Sequence, residues 1–280
     1  MAYGSPNTEQ DIEAYFTHIR GGRAPSPQAL EHLTERYRAI GGSPLARITG
    51  DQAKALGREL EMPVLVGMKH SPPFIEDVVT RARESGVERL VGLPLAPHYA
   101  EMSVGGYLKA IRKAWDGDLV FIRGFHAHPA FVQAVCGLVA ESSRGFDPEH
   151  VIFTAHSLPA RIEAEGDPYR ERLLESSGLV AEAASLPKWE FAFQSASDTG
   201  EPWFGPSLTE RLAATAARRV LVCPIGFVAD HLEVLYDIDI EAVALATERA
   251  IELRRTPSFN ARPAFIAALA AIVRDQLLAA

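Results

Sequence analysis

Cysteine is scarce in these 280 residues: two occur, Cys136 and Cys223, far apart and each inside an apolar run. A disulfide framework and a four-thiolate metal or iron–sulfur site within one chain are thereby excluded. No apolar run reaches the roughly 18 residues of a membrane span, and the N-terminus lacks a basic-then-apolar leader. Positive charge is in deficit as well. The 28 Lys and Arg stand against 36 Asp and Glu, a formal net charge of −8, which leaves no electrostatic footprint for nucleic acid. No strand-to-helix turn carries G-x-G-x-x-G or G-x-x-x-x-G-K-[ST], so nucleotide binding has no support, and no G-x-S-x-G elbow occurs. The expectation is a soluble, cytoplasmic chain with no nucleic-acid partner and no membrane insertion.

What is present is alternation. With 47% hydrophobic residues the chain can bury one large core or two of ordinary size. The segments PVLVGM (63–68), RLVGLPL (89–95), LVFIRGF (119–125), VIFTA (151–155), EFAFQ (190–194), RVLVCPI (219–225) and AVALA (242–246) read as strands. Helix-length segments separate them, and a last helix covers 262–278. This order predicts an α/β fold of two doubly wound Rossmann-like domains, their parallel sheets flanked by helices, with a cleft between them. The expected division is 1–117 for the first domain and 118–255 for the second, the C-terminal helix 256–280 returning to the first. Met1–Gly4 reads as the end of a strand whose beginning is absent.

Polar residues collect where the apolar runs stop. Tyr3, Lys69, His70, His98, His126, His128, His156 and Glu233 all follow a predicted strand. Any one strand-end histidine is more commonly a loop or capping residue. His156 differs because VIFTA leads straight into it, and so buried a strand delivers its next side chain to the floor of a cleft. After RVLVCPI a helix is expected from Asp230 to Glu241, with Glu233, Asp237 and Glu241 at i, i+4 and i+8 on one stripe. An acidic row is often just a solvated face. This one lies past the carboxyl end of a strand, where open α/β sheets bind ligands. One imidazole facing a carboxylate suits a divalent metal such as Fe(II), Co(II) or Zn(II), and it also suits accepting protons near neutral pH. Together these describe metal-for-proton exchange on a tetrapyrrole.

The motifs TAHSLP (154–159), GDPY (166–169), FQS (193–195), WFGP (203–206) and PIGFVADHLEVLYDIDIE (224–241) strongly resemble the ferrochelatase family. AYGSP (2–6), YFTHIRGGR (15–23), RYRAIGGSPLARIT (36–49), GMKHSPPFIEDVV (67–79) and LAPHY (95–99) carry the resemblance through the N-terminal half. It is nearest to the soluble bacterial branch that uses coproporphyrin III. What the resemblance implies is insertion of Fe(II) into a porphyrin in haem biosynthesis, with loss of two pyrrole protons. His156 then coordinates iron and takes a pyrrole proton, Glu233 is its partner carboxylate, and Asp237 and Glu241 form an outer relay for protons or metal. Tyr3 approaches the metal from the opposite face, while Arg20, Arg36, Tyr37, Ser43 and Tyr107 grip propionates. Gly21 stands where the family often has a second basic residue, and the GGSP loop is one residue short.

The same resemblance implies no tightly bound cofactor, no iron–sulfur cluster, Fe(II) as substrate, a monomer, and transient contact with neighbouring haem-pathway enzymes. Two other readings stay open at this point. One is a cobalt or nickel chelatase acting on sirohydrochlorin, for which the His126/His128 pair is the argument. The other is a non-catalytic haem or metal carrier.

Overall fold

The structure is a computed structural model that describes residues 1–280 except Pro187 and Asp198. Two parallel sheets organise the described residues. In the first, β1 (Arg89–Gly92) pairs with β2 (Asp118–Phe121). The N-terminal residues thread alongside: the Met1 amine donates to the Leu93 carbonyl at 2.7 Å, and Leu95 N–H to that of Met1 at 2.8 Å. On their other flank Ala2 donates to Gly67 and accepts from Lys69, and Tyr3 accepts from His70. Tyr3, Lys69 and His70 therefore reach the same edge of this sheet.

The second sheet has the order β4 (Trp189–Gln194), β3 (His150–His156), β5 (Arg219–Cys223), β6 (Glu252–Arg255), all parallel. Its interior strands are apolar on both faces, as a parallel sheet covered on both sides demands. Val151, Phe153, Ala155, Leu221 and Cys223 face one way, towards helices α6 (Pro129–Ser143), α8 (Tyr169–Ala183) and α12 (Pro263–Leu278). Ile152, Val220 and Val222 face the other, towards α9 (Leu208–Ala214) and α11 (Val243–Glu248). Each fully buried Phe, Ile or Leu contributes about 1.5–3 kcal/mol. From β3 the chain runs one way to β4 and then crosses to β5 on the other side. The topological switch point, where such sheets open a crevice, thus lies between the carboxyl ends of β3 and β5.

The sheets do not divide where expected. Asp118–Phe121 hydrogen-bonds to β1, so a boundary at 117/118 would cut the first sheet; its last strand precedes the seam. Helix α12 packs on both α6 and α3 (Leu45–Leu60) and so spans both halves. PVLVGM is not a regular strand: among its residues Met68 forms the bridges, to Ala2 and Phe74. AVALA forms α11 rather than a strand; its alanines favour a helix and the preceding turn propagates into it. The edge strand is instead Glu252–Arg255. The expected single helix from Asp230 to Glu241 is a short α10 (Leu232–Leu235) followed by a π-helical turn at Asp237–Ala242. Helix α3 begins at Leu45, directly after the GGSP loop.

Candidate active site

His156 is the last residue of β3, beside the switch point, and its register partner across to β4 is Gln194. Three contacts fix it. Its own carbonyl accepts from the Tyr169 hydroxyl at 2.9 Å, anchoring it to the start of α8. The Trp203 ring lies 6.3 Å from the imidazole, centroid to centroid. Its Nδ1 is 2.5 Å from the Ser157 carbonyl oxygen, which can only accept, so Nδ1 carries the hydrogen and Nε2 keeps its lone pair.

The carboxylate partner arrives from β5. After Cys223 the chain turns through Gly226, whose N–H donates to the Thr154 carbonyl at 3.1 Å. A Cβ at Gly226 would sit 2.4 Å from that of Ala155, so only glycine lets this loop lie across β3. Helix α10 then presents Glu233, whose backbone carbonyl accepts from Gln194 Nε2 at 2.8 Å. Burial opposes ionisation of Glu233, but the charges of His231 and Arg36 and a backbone hydrogen bond, joined by His156 when its imidazole is protonated, outweigh it and hold the carboxyl below its usual range. The His231 Nε2 stands 3.2 Å from Glu233 Oε2, and its Nδ1 lies 2.8 Å from the Ala229 carbonyl. Since that carbonyl claims the Nδ1 hydrogen, the Nε2–carboxylate contact requires a second proton shared within the pair.

Asp237 continues outward from Glu233 and is 8% exposed. Arg36 of α2 (Pro27–Ala39) forms an ion pair with one of its oxygens, and the Ser195 hydroxyl donates to the other. The Arg36 guanidinium is 4.6 Å from the centroid of the Tyr236 ring. Burial, aided by Glu233 and Glu241, raises the Asp237 carboxyl above its ordinary value against the opposing pull of Arg36 and Ser195. Two carboxylates are thereby separated in proton affinity, the inner lower and the outer higher. Glu241 is exposed at the end of the π turn.

Tyr3 faces this group from the first sheet, 41% exposed. Its low-polarity surroundings and the charge of Glu233 hold its hydroxyl above the usual phenol range, and Glu233 acts similarly on Tyr15 and Tyr37. The His70 ring packs 4.5 Å from Tyr3, and burial with the charges of Lys69 and His18 lowers it to about 4. Of the expected propionate residues, Tyr37 and Tyr107 are buried, Arg20 is exposed just past α1 (Ile12–Ile19), and the Ser43 hydroxyl accepts from Leu45 N–H at 3.3 Å. Arg36 is already committed to Asp237.

Sequence reasoning placed Lys69 at a strand end without giving it a role, and missed His231, Tyr15 and Ser195 as members of this group. Each stands within a quoted motif, but no periodicity distinguishes it from its neighbours. The His126/His128 pair does not converge on a shared point: His126 Nε2 is 2.8 Å from Glu175, and His128 Nε2 is 3.1 Å from Asp275 while its Nδ1 caps α6. No group of three or more His, Cys, Asp or Glu poised for a metal exists among the described residues. No helix among them is long and apolar enough to cross a membrane.

Solved structures of similar fold include SirB from Bacillus subtilis with Fe3+ (TM-score 0.63, 12% identity, 82% of this chain and 88% of that one). CbiX, described as the terminal enzyme for biosynthesis of sirohaem in denitrifying bacteria, gives a TM-score of 0.60 at 13% identity, over 84% of this chain and 94% of that one. At such identity these likenesses bear on the fold alone. The Ferrochelatase family model matches residues 1–277. The ferrochelatase of Herpetosiphon aurantiacus is 41% identical over 296 residues, covering 99% of this chain and 97% of that one. The coproporphyrin III ferrochelatase of Geobacillus sp. is 42% identical over 298 residues, covering 99% and 96%. The chain belongs to the ferrochelatase family: it is a porphyrin ferrochelatase, an enzyme of haem biosynthesis that inserts iron.

Proposed function

We propose that the porphyrin is coproporphyrin III, that the product is coprohaem, and that His156 and Glu233 carry the insertion. The observation that supports the site most strongly is the single imidazole lone pair, on Nε2 of His156, at the switch point where Glu233 also arrives. The macrocycle lies in the cleft with Tyr3 on its other face, and Arg20, Tyr37, Ser43 and Tyr107 hold propionates, Arg36 being engaged by Asp237. Binding energy from those contacts bends the ring so that a pyrrole nitrogen tilts towards His156. His156 takes the pyrrole proton, Glu233 stabilises the imidazolium and draws the proton away, and the two side chains, once deprotonated again, coordinate the incoming Fe(II). Protons then pass outward to Asp237, whose raised affinity receives them, and to Glu241 at the surface. Iron is substrate in this scheme; no resident cofactor and no iron–sulfur cluster takes part. The enzyme acts as a cytoplasmic monomer with transient contacts to neighbouring haem-pathway enzymes.

Neither other reading is favoured. The His126/His128 pair that argued for a sirohydrochlorin chelatase is split between two carboxylates, and a carrier has no use for an outward proton path. The test is anaerobic incubation with Fe(II) and either coproporphyrin III or protoporphyrin IX. Faster metallation of coproporphyrin III is expected; equal rates, or preference for protoporphyrin IX, would overturn the substrate assignment.

A further inference from the structure

We infer that Lys69 is a specificity-determining residue whose ammonium receives a propionate carboxylate that coproporphyrin III possesses and a two-propionate porphyrin lacks. The inference rests on the coproporphyrin reading above and extends it to a residue outside the expected propionate set.

Lys69 leaves the first sheet beside Tyr3, its N–H donating to the Ala2 carbonyl at 3.0 Å. Its Nζ lies 5.7 Å from the centroid of the Tyr107 ring and donates to the Met102 carbonyl at 3.2 Å. Lys109 and Lys113 are paired with Glu101 and Glu76, but Lys69 has no carboxylate at ion-pair distance among the described residues. Glu101, the acid next in sequence to Met102, is committed elsewhere: Lys109 holds it at 2.8 Å and the Tyr99 hydroxyl at 2.5 Å. A partly buried ammonium without a counter-charge is costly and persists where a ligand supplies the missing anion.

The seat is also shaped for this side chain. A Cβ on Gly106 would stand 2.5 Å from Lys69 Nζ and 2.9 Å from Cε, and one on Gly105 would stand 2.6 Å from the Glu101 carboxylate. The ammonium thus lies against the Gly106 backbone, and a side chain at 106 would displace it from this place. Burial, with the charge of Lys109, lowers the hold of Lys69 on its proton, a penalty an arriving carboxylate relieves. Charge balance points the same way. The proposed substrate brings four carboxylates, Arg36 already faces Asp237, and Tyr37, Ser43 and Tyr107 offer hydroxyls only.

The experiment is fluorescence titration of metal-free coproporphyrin III and protoporphyrin IX into wild type, Lys69→Gln and Lys69→Arg, with thermal melting of each variant. Lys69→Gln is expected to raise the ratio of dissociation constants, coproporphyrin over protoporphyrin, about tenfold, as for loss of one charge-assisted bond. Lys69→Arg keeps the charge and is expected to hold that ratio within about threefold of wild type. An unchanged ratio in a folded Lys69→Gln protein, or equal weakening of both porphyrins, overturns the inference. Wild type that metallates neither porphyrin overturns the substrate reading beneath it, which separates the two failures.

Discussion

Removing Arg36 tests the electrostatics of the outer site most sharply. In Arg36→Ala the Asp237 carboxylate, 8% exposed, loses its cation but keeps the Ser195 hydroxyl, with Glu233 and Glu241 still raising its proton affinity. Breaking a buried ion pair from one side costs roughly 3–5 kcal/mol. The Arg36 side chain is 21% exposed, so water enters its place and about 2–3 kcal/mol is expected at neutral pH. At about 2–4 °C per kcal/mol, that lowers the melting temperature by about 5–10 °C. The sign with pH follows from the direction of the shift. Asp237 binds its proton more tightly folded than unfolded, so it favours the fold at low pH, and that contribution is lost as pH rises through its folded pKa. Losing Arg36 raises the folded affinity further. The defect in Arg36→Ala is therefore greatest at pH 7.5 and smaller by about 1–2 kcal/mol at pH 5. Asp237→Asn added to Arg36→Ala removes the stranded charge and restores most of the loss. Melting curves of wild type, both single variants and the double variant at the two pH values check this. An equal loss at both pH values, or no recovery in the double variant, would refute the argument.

His156→Ala is expected to abolish iron insertion while coproporphyrin binding by fluorescence stays within about threefold, since the propionate contacts are untouched. Glu233→Gln removes the stabilising charge but keeps shape, and should lower kcat about a hundredfold with little change in KM; a defect confined to KM would remove the carboxylate from the reaction. Gly226→Ala drives a methyl group into Ala155, 2.4 Å away, and should cost about 1–3 kcal/mol in urea denaturation, with insertion impaired because the loop carrying Glu233 is displaced. Full stability in that variant would mean the loop adjusts freely.

The parts legible in the sequence are those where burial and chemistry agree. VIFTA followed by His156 is a strand buried on both faces, and its apolar run ends where the site begins. The acidic row lies past the carboxyl end of β5 as expected, yet its helix is broken by a π-helical turn. Nothing in the i, i+4, i+8 spacing separates a regular helix from a wide turn that leaves Asp237 buried beneath Arg36 from α2. That pair depends on residues 201 positions apart. The edge strand Glu252–Arg255 was illegible for another reason. Arg254 covers Phe146 with its guanidinium, 4.3 Å from the ring centroid, and Arg255 pairs with Asp239 at 2.7 Å, so charged residues pack where apolar ones are expected. Lys69 and His231 stand in recognisable motifs, but what matters about each is a partner it has or lacks in space.

Ser157 offers its carbonyl to one ring nitrogen of the His156 imidazole and leaves the other without a hydrogen. A macrocycle gives up two hydrogens for every iron it receives, and in the proposed scheme His156 takes them one at a time. On that scheme the imidazole is discharged between the two, with a half-deprotonated porphyrin in the cleft while the first hydrogen leaves. Stepwise departure predicts a linear fall of rate with deuterium fraction, one hydrogen moving in the slow step; a bowl-shaped curve would mean that both move together.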